Sequence, residues 1–100
     1  MAQHIIACFL RDLPQQIAAL RAALRADDAT TLATTAHTIK GSAANVGGEA
    51  LHAVALAIEN AARAGKLTAA IPLLAELEAQ FARLREIMSR ILKSHYDPST

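Results

Sequence analysis

One segment in the first half of the chain brings together a histidine, a lysine and a glycine at helical spacing. On a helix that turns about 100° per residue, His37 lies about 140° from the centre of the apolar row and Lys40 about 80°. His37 therefore faces solvent. Lys40 and Gly41 follow it by three and four residues, which makes them its neighbours on the helix surface. The segment reads Ala36-His37-Thr38-Ile39-Lys40-Gly41-Ser42-Ala43-Ala44-Asn45-Val46-Gly47.

These residue types at this spacing indicate phosphoryl transfer. A neutral imidazole has a free nitrogen lone pair near neutral pH, and this lone pair can attack a phosphorus atom to form a phosphoramidate. The ammonium group of Lys40 supplies positive charge for the phosphoryl oxygens, which sites of phosphoryl transfer need. A solvated surface histidine without a function is the alternative. The His-x-x-Lys-Gly spacing and the small residues around His37 count against it.

Gly41 is the most unexpected residue of the segment, because glycine inside a helix costs roughly 1 kcal/mol relative to alanine. The chain uses alanine freely, at 24 of its 100 positions. A helix crossing would also explain a glycine, but Gly41 lies about 180° from the centre of the apolar row. The cost is explained if another molecule must approach His37 so closely that a methyl group would obstruct it.

Four amphipathic runs supply the elements that must position this segment. Asp28, Gly47 and Gly65 stand between the runs, as helix caps and helix ends do. Short connections force antiparallel neighbours, so the sequence predicts an all-α fold: an antiparallel up-down-up-down four-helix bundle with an additional N-terminal helical segment. We expect the bundle to cover residues 1–94 and residues 95–100 to form a frayed tail. The apolar rows contain Ile6, Leu10, Leu13, Ile17, Leu20, Leu24; Leu32, Ala36, Ile39, Ala43, Val46; Leu51, either Val54 or Ala55, Ile58, Ala62; and Leu67, Ile71, Leu74, Leu77, Phe81, Leu84, Met88, Ile91.

The composition counts against several functional classes. Ten Lys and Arg residues against nine Asp and Glu give a net charge of +1, which argues against nucleic-acid binding through bulk positive charge. A single cysteine, Cys8, allows neither an internal disulfide nor a cysteine-based zinc site. No apolar run approaches the roughly 18 residues of a membrane span, and the start of the chain does not resemble a signal peptide. We therefore expect a cytoplasmic protein without direct membrane contact.

The segment around His37 resembles the signature of the histidine-containing phosphotransfer (Hpt) domains of bacterial multistep phosphorelays. Those domains typically read His-x-Leu-Lys-Gly-Ser-Ala-x-x-Leu-Gly. This chain has the matching residues at the matching places, with Ile39 and Val46 as conservative replacements of leucine. The resemblance extends beyond the segment to Phe9, Leu10, Pro14, Leu51, Gly65 and the run Phe81-Ala82-Arg83-Leu84.

The resemblance implies a phosphorelay intermediate. His37 would accept a phosphoryl group from an aspartyl phosphate on one receiver domain and pass it to an aspartate of another, with Lys40 as electrostatic partner and Gly41 giving access. The partners would be receiver domains of a hybrid kinase or of a response regulator. The chain itself would be either free-standing or the C-terminal module of a hybrid sensor histidine kinase, and a membrane-anchored kinase would still place this domain in the cytoplasm. These 100 residues contain no glycine-rich phosphate-binding loop and no separate ATP-binding domain, so we expect no ATP-dependent kinase activity. We expect the domain to bind no cofactor and Mg²⁺ to be held by the partner receiver.

A docking surface for the receiver is expected around the phosphorylatable helix and its neighbours. Leu56 projects from the polar side of the third helix and would join apolar residues of the N-terminal helix there. We expect the other three histidines to be surface or terminal residues without a metal site, and His52 to share an outer face with Glu59 and Arg63. The candidate docking residues are Thr34, Ala44, Asn45, Gly48, Ile5, Phe9 and Leu56.

A function of another class also fits the composition and the periodicity. The chain would then be a non-catalytic helical module that binds and sequesters a protein partner. Phosphorylation of His37 discriminates between this binding module and a phosphorelay intermediate.

The dimerisation domain of a sensor kinase also carries a phosphorylated histidine, but an acidic residue and then a proline usually follow it. Here Thr38 follows His37, and the next proline is Pro72. We expect a monomer, because one histidine face per bundle is sufficient for transfer.

Overall fold

Four helices make up the computed structural model, which describes residues 2–95, with side chains described for residues 6–91. Consecutive helices are joined by three residues each and run antiparallel, and no strand occurs among the described residues. The predicted all-α four-helix bundle is confirmed. Of the predicted tail, His95 alone lies within the described residues, and it ends the last helix. The helices are α1 (Ala2–Arg25), α2 (Ala29–Asn45), α3 (Glu49–Arg63) and α4 (Leu67–His95).

The N-terminal helical segment that the sequence predicts is continuous with α1. Pro14 lies inside α1, although proline has no N–H group to donate to the preceding turn. Its side chain is exposed. Pro72 lies inside α4 in the same way, and it too is exposed. Neither proline divides its helix, so the N-terminal segment is not a separate helix among the described residues.

The turns at the two ends of α2 explain where this helix begins and ends. Asp28 caps its start, because the carboxylate accepts hydrogen bonds from the backbone N–H (3.1 Å) and the hydroxyl group (2.6 Å) of Thr31. Gly47 follows its end with a φ of +73°, a left-handed conformation that glycine adopts without strain. The N–H of Gly48 closes this turn on the carbonyl of Ala43 at 2.8 Å. Both turns hold the candidate segment in a helix of defined length.

The core lies along the centre of the bundle, where one face of each helix contributes to it. Ala36, Ala43 and Ala55 are fully buried, and their small side chains let α2 and α3 pack closely. Phe9 of α1 and Phe81 of α4 pack edge to face, with ring centroids 6.0 Å apart. The largest fully buried side chains are Leu13, Leu20, Leu32, Ile39, Leu51, Ile58 and Leu77.

The apolar row predicted for α4 is wrong at two positions. Ile71 is 59% exposed and Ile91 is 42% exposed. The helix turns Ala70 and Leu74 to the core instead, so Ile71, about 100° away from Ala70, points outward. Ile91 lies near the end of α4, which at 29 residues is much longer than the 15-residue α3 beside it. The rest of the row packs in the core or against it.

Candidate functional site

His37 lies at the middle of α2 on its outward face, with 62% of its side chain exposed, as the helical projection predicts. Gly41 follows one turn later and is also exposed. A Cβ atom added at Gly41 would meet nothing within 4 Å among the described residues. The open space that the sequence predicts beside His37 is therefore present, and an incoming group can approach the imidazole ring along the surface of α2.

A buried carboxylate under His37 joins α2 to α3. Glu59 of α3 is only 4% exposed. Its Oε2 atom lies 3.1 Å from Nδ1 of His37 and 2.7 Å from Nη2 of Arg63, which is one turn further along α3. Its Oε1 atom lies 2.9 Å from Nζ of Lys40. Glu59 therefore contacts His37 and Lys40 of the candidate segment, and it also contacts the cation Arg63 on its own helix.

The cations around Glu59 keep its carboxylate ionised. The ammonium group of Lys40 and the guanidinium group of Arg63 lower the pKa of Glu59 from 4.5 to about 2; burial opposes this shift, and the contact with His37 adds to it. An ionised carboxylate accepts hydrogen bonds and donates none, so Nδ1 of His37 is the donor of their hydrogen bond. In the neutral ring the free lone pair then lies on Nε2.

Lys40 and Arg63 hold Glu59 in different ways. Arg63 donates from both Nε (3.2 Å) and Nη2 (2.7 Å) to Oε2. Oε1 accepts no hydrogen bond of regular geometry within the described part of the chain, so Lys40 contacts it as a close ion pair. An ammonium group has three N–H donors, and the Lys40 side chain is 23% exposed. Lys40 can therefore contact an anion near His37 without leaving Glu59.

The position of Glu59 corrects the interpretation of the sequence. The helical projection puts Glu59 on an outer face with His52 and Arg63, whereas α2 packs against this side of α3 and buries the carboxylate. His52 itself is half-buried. A signal for Glu59 does exist in the sequence, because it follows Ala55 by four residues and precedes Ala62 by three, and both alanines belong to the buried row. An acidic residue at that spacing adjoins a helix interface.

The comparisons with known proteins identify the family. The family model for the Hpt domain matches residues 4–87. The chain belongs to the Hpt family. Among solved structures it is similar to histidine-containing phosphotransfer protein B (HptB) from Pseudomonas aeruginosa PAO1, with a TM-score of 0.86 and 33% sequence identity, covering 88% of this chain and 76% of that chain. No curated protein matches the chain. The family has a helical bundle fold, which agrees with the fold that the sequence resemblance implies. The role of the family in phosphorelay histidine phosphotransfer agrees with it as well.

The Hpt domain exposes part of the surface proposed for docking. Four of the candidates are exposed, three on α2 and one on α3, and the side chain of Ile5 lies outside the described residues. Their contact with a partner stays a prediction. The exposed candidates are Thr34, Ala44, Asn45 and Leu56.

Two candidate docking residues of the Hpt domain are buried, and their prediction is wrong. Phe9 is only 5% exposed, because its ring packs against Phe81 in the core. Gly48 is buried where the α2–α3 turn meets α4, and a Cβ atom there would lie 3.1 Å from Cδ2 of Leu84. Neither residue presents a side chain or an open surface to a partner.

Among the described residues, no group of three or more His, Cys, Asp or Glu side chains is arranged to hold a metal ion. Cys8 is half-buried and lines a hollow between α1 and α2. No helix of the described part is long and apolar enough to span a membrane. Glu59, His37, Lys40 and Arg63 form a cluster of titratable and charged side chains between α2 and α3.

Proposed function

We propose that this Hpt domain is a phosphorelay intermediate whose phosphoacceptor is His37. It accepts a phosphoryl group from the aspartyl phosphate of one receiver domain and passes it to the aspartate of another. The observation that supports this most strongly is the 3.1 Å contact of His37 Nδ1 with Glu59 on an otherwise open face. Because the proton is held on Nδ1, the lone pair of Nε2 is available to a group that arrives from solvent.

The chemistry is an exchange of one bond to phosphorus for another. The Nε2 lone pair forms the N–P bond while the P–O bond to the receiver aspartate breaks, and the aspartate leaves as a carboxylate. In the onward transfer, a carboxylate oxygen of the next receiver attacks the phosphorus. The N–P bond then breaks, and its electron pair returns to Nε2.

Lys40 and Gly41 assist this exchange in different ways. The ammonium group of Lys40, one turn from His37, stabilises the negative charge on the phosphoryl oxygens as the bonds exchange. Gly41 leaves the backbone bare beside the ring, so the receiver can bring its aspartyl phosphate into line with Nε2. Neither residue has to move a proton.

The partners of the domain follow from this chemistry. We propose receiver domains of a hybrid kinase or of a response regulator as donor and acceptor, and we expect the Mg²⁺ of the reaction to be held by the receiver. The domain binds no cofactor of its own and has no ATP-dependent kinase activity. It acts as a monomer in the cytoplasm, where phosphorelays operate, either free-standing or as the C-terminal module of a hybrid sensor kinase.

Transfer from a charged receiver tests this function. Receiver domains from the same genome are phosphorylated with acetyl phosphate and Mg²⁺ and are each incubated with the domain. We expect acid-labile, base-stable phosphate on the wild type and on a His52→Gln control, and none on His37→Gln. If every receiver is charged and none transfers phosphate, the proposal is wrong, and the non-catalytic binding module is the better description.

A further inference from the structure

α1 and α4 extend past the other two helices at one end of the bundle. α4 has 29 residues against 15 in α3, and α1 has 24 against 17 in α2. The turns at the opposite end have three residues each, so the extra length lies at the end with the α2–α3 turn. At about 1.5 Å per residue, α4 projects about 20 Å past the start of α3. Within the described residues, no helix covers the α3-facing side of α4 there.

Three apolar side chains of α4 lie on this side, and we call them the α4 strip: Leu84, Ile87 and Ile91. Leu84 packs against the core and lies against Gly48 at the start of α3. Ile87 and Ile91 follow it by three and seven residues, which is the spacing of one helix face, and they are 54% and 42% exposed. The α4 strip therefore continues the surface on which α3 packs, beyond the point where α3 begins.

Positive charge borders the α4 strip. Arg83 and Arg90 lie four residues before and three residues after Ile87, so they are its neighbours on the helix surface, and both are exposed. Arg90 contacts Glu86 of its own helix, but such an exposed pair contributes little stability. From Arg83 to Ile91 the chain has three arginines and one glutamate. A second copy of the chain would bring the same positive charge to this surface, whereas an acidic partner would neutralise it.

A hollow between α4 and the α2–α3 turn adjoins the α4 strip. Its lining includes Gly48, Leu84 and Ile87, together with two side chains of opposite charge, Arg83 and Glu49. The end of a helix that follows the strip fits against this concave wall, whereas a flat lipid surface would leave it unfilled. The shape therefore favours a helix over a membrane, although both can take up apolar and basic side chains.

We propose that the α4 strip is a second protein-binding surface of the domain, and that it binds an amphipathic helix with an apolar face and acidic flanks. The bound helix lies along α4 in line with α3. Its apolar side chains pack on Ile87 and Ile91, and its carboxylates face Arg83 and Arg90.

This surface is separate from the site at His37. α4 packs against α1 and α3, whereas His37 lies on the outward face of α2. A helix bound to the α4 strip leaves the imidazole ring open to a receiver. The domain can thus be tethered through α4 while it exchanges phosphate through α2, and a tether of this kind raises the local concentration of the tethered groups.

A designed peptide tests the surface on the full chain. The probe is a helix of about three heptads with leucine at positions a and d, glutamate at e and g, and alanine or glutamine elsewhere. We expect it to bind and to shift the methyl signals of Ile87 and Ile91 in ¹H–¹³C spectra. Ile87→Asp should weaken binding by roughly tenfold or more. Ile71→Asp is the matched control, because Ile71 is also exposed but lies at the other end of α4.

Circular dichroism shows whether both variants keep the fold, as we expect for exposed positions. Absence of peptide binding to the wild type, or equal binding by Ile87→Asp and the wild type, would overturn the proposal.

The charge of the probe tests the acidic flanks. A peptide with lysine at e and g should bind roughly tenfold more weakly than the glutamate peptide. Replacing both Arg83 and Arg90 with Glu should reverse this preference. Equal affinities of the wild type for the two peptides would show that the surface does not select acidic partners.

Two other occupants give different results. Sedimentation of the domain alone at increasing concentration detects a second copy, and co-sedimentation with phosphatidylglycerol vesicles detects an anionic membrane. We expect a single monomeric species and no vesicle binding. Self-association or vesicle binding that Ile87→Asp abolishes would overturn the acidic helix as the occupant.

Phosphotransfer in the presence of saturating glutamate peptide tests the separation of the two surfaces. We expect the rate of transfer from a charged receiver to His37 to be unchanged. Loss of transfer in the peptide-bound domain would contradict this separation. Failure of the proposed function is distinguishable, because His37 then accepts no phosphate while the peptide still binds the α4 strip.

Discussion

Nδ1 of His37 on α2 lies 3.1 Å from Oε2 of Glu59 on α3. The contact joins a side chain that is 62% exposed to one that is only 6% exposed. One side of the imidazole ring is thus open to solvent. On the other side, the buried carboxylate of Glu59 orients the ring. A reactive group on a rigid helix, held by a buried partner on the next helix, needs no loop to position it.

Replacing His37 with Gln should abolish phosphate acceptance and leave the fold intact. The side chain is exposed, so its exchange removes little packing, and a glutamine amide can still donate to Glu59. We expect an unchanged far-UV circular dichroism spectrum and a Tm within about 4 °C of the wild type. A loss of helicity would contradict the surface position of the ring.

Replacing Lys40 with Ala should slow phosphotransfer by roughly tenfold to a hundredfold, because charge on the phosphoryl group is less well stabilised in the transition state. Rapid-quench measurement of transfer from a charged receiver gives the rate. Lys66→Ala is the matched control, since Lys66 is exposed in the α3–α4 turn. If Lys40→Ala and Lys66→Ala transfer equally fast, Lys40 has no part in the site.

Substitutions of Gly41 should separate stability from access. Gly41→Ala should stabilise the domain against urea by roughly 1 kcal/mol, because alanine is the better helix former and the added methyl group meets nothing among the described residues. Gly41→Leu should fold as well and yet block the receiver, so that transfer is lost. A leucine variant that exchanges phosphate at the wild-type rate would refute the access argument.

The lowered pKa of Glu59 predicts that the free energy of unfolding decreases as the pH falls into the acid range. The pKa is about 2 in the folded chain and 4.5 as the ordinary value, so the unfolded chain binds more protons in this range. The stabilisation that ionised Glu59 contributes is complete well above its ordinary pKa of 4.5, and it is lost as the pH falls from about 5 towards 2. Hydrogen bonds from Thr31 lower the pKa of Asp28 in the same direction, so the contribution of Glu59 is isolated with Glu59→Gln.

Urea unfolding at about pH 7 and about pH 3 measures this contribution. The wild type should lose more stability between the two conditions than Glu59→Gln, which has no carboxyl group to protonate at that position. Equal losses in the two proteins would show that the carboxylate of Glu59 is not held ionised by its partners.

The periodicity of the sequence was sufficient to predict the architecture and the exposure of His37. Each helix has one apolar face, and the angle between that face and His37 follows from helix geometry alone. The turn at Gly47 was predictable for a similar reason, because a left-handed residue after a helix is usually glycine. These features depend on residues close together in the chain.

The features that escaped prediction depend on two helices at once. Glu59 faces His37 and Lys40 only because α2 and α3 pack in one particular register, and a projection of α3 by itself cannot show that register. Gly48 and Phe9 were misplaced for the same reason. Leu84 covers Gly48, and Phe81 packs against Phe9. Both covering residues belong to α4, which is far along the chain.

The phosphorylated atom is the most direct test of the central claim. The domain, labelled with ¹⁵N, is charged by a receiver and kept at alkaline pH, where phosphohistidine is stable, and the N–P coupling identifies the nitrogen bound to phosphorus. We predict one phosphoramidate, at Nε2 of His37, with the proton still on Nδ1. Phosphate at Nδ1, phosphate on another histidine, or no phosphohistidine while the receiver is charged would contradict the assignment.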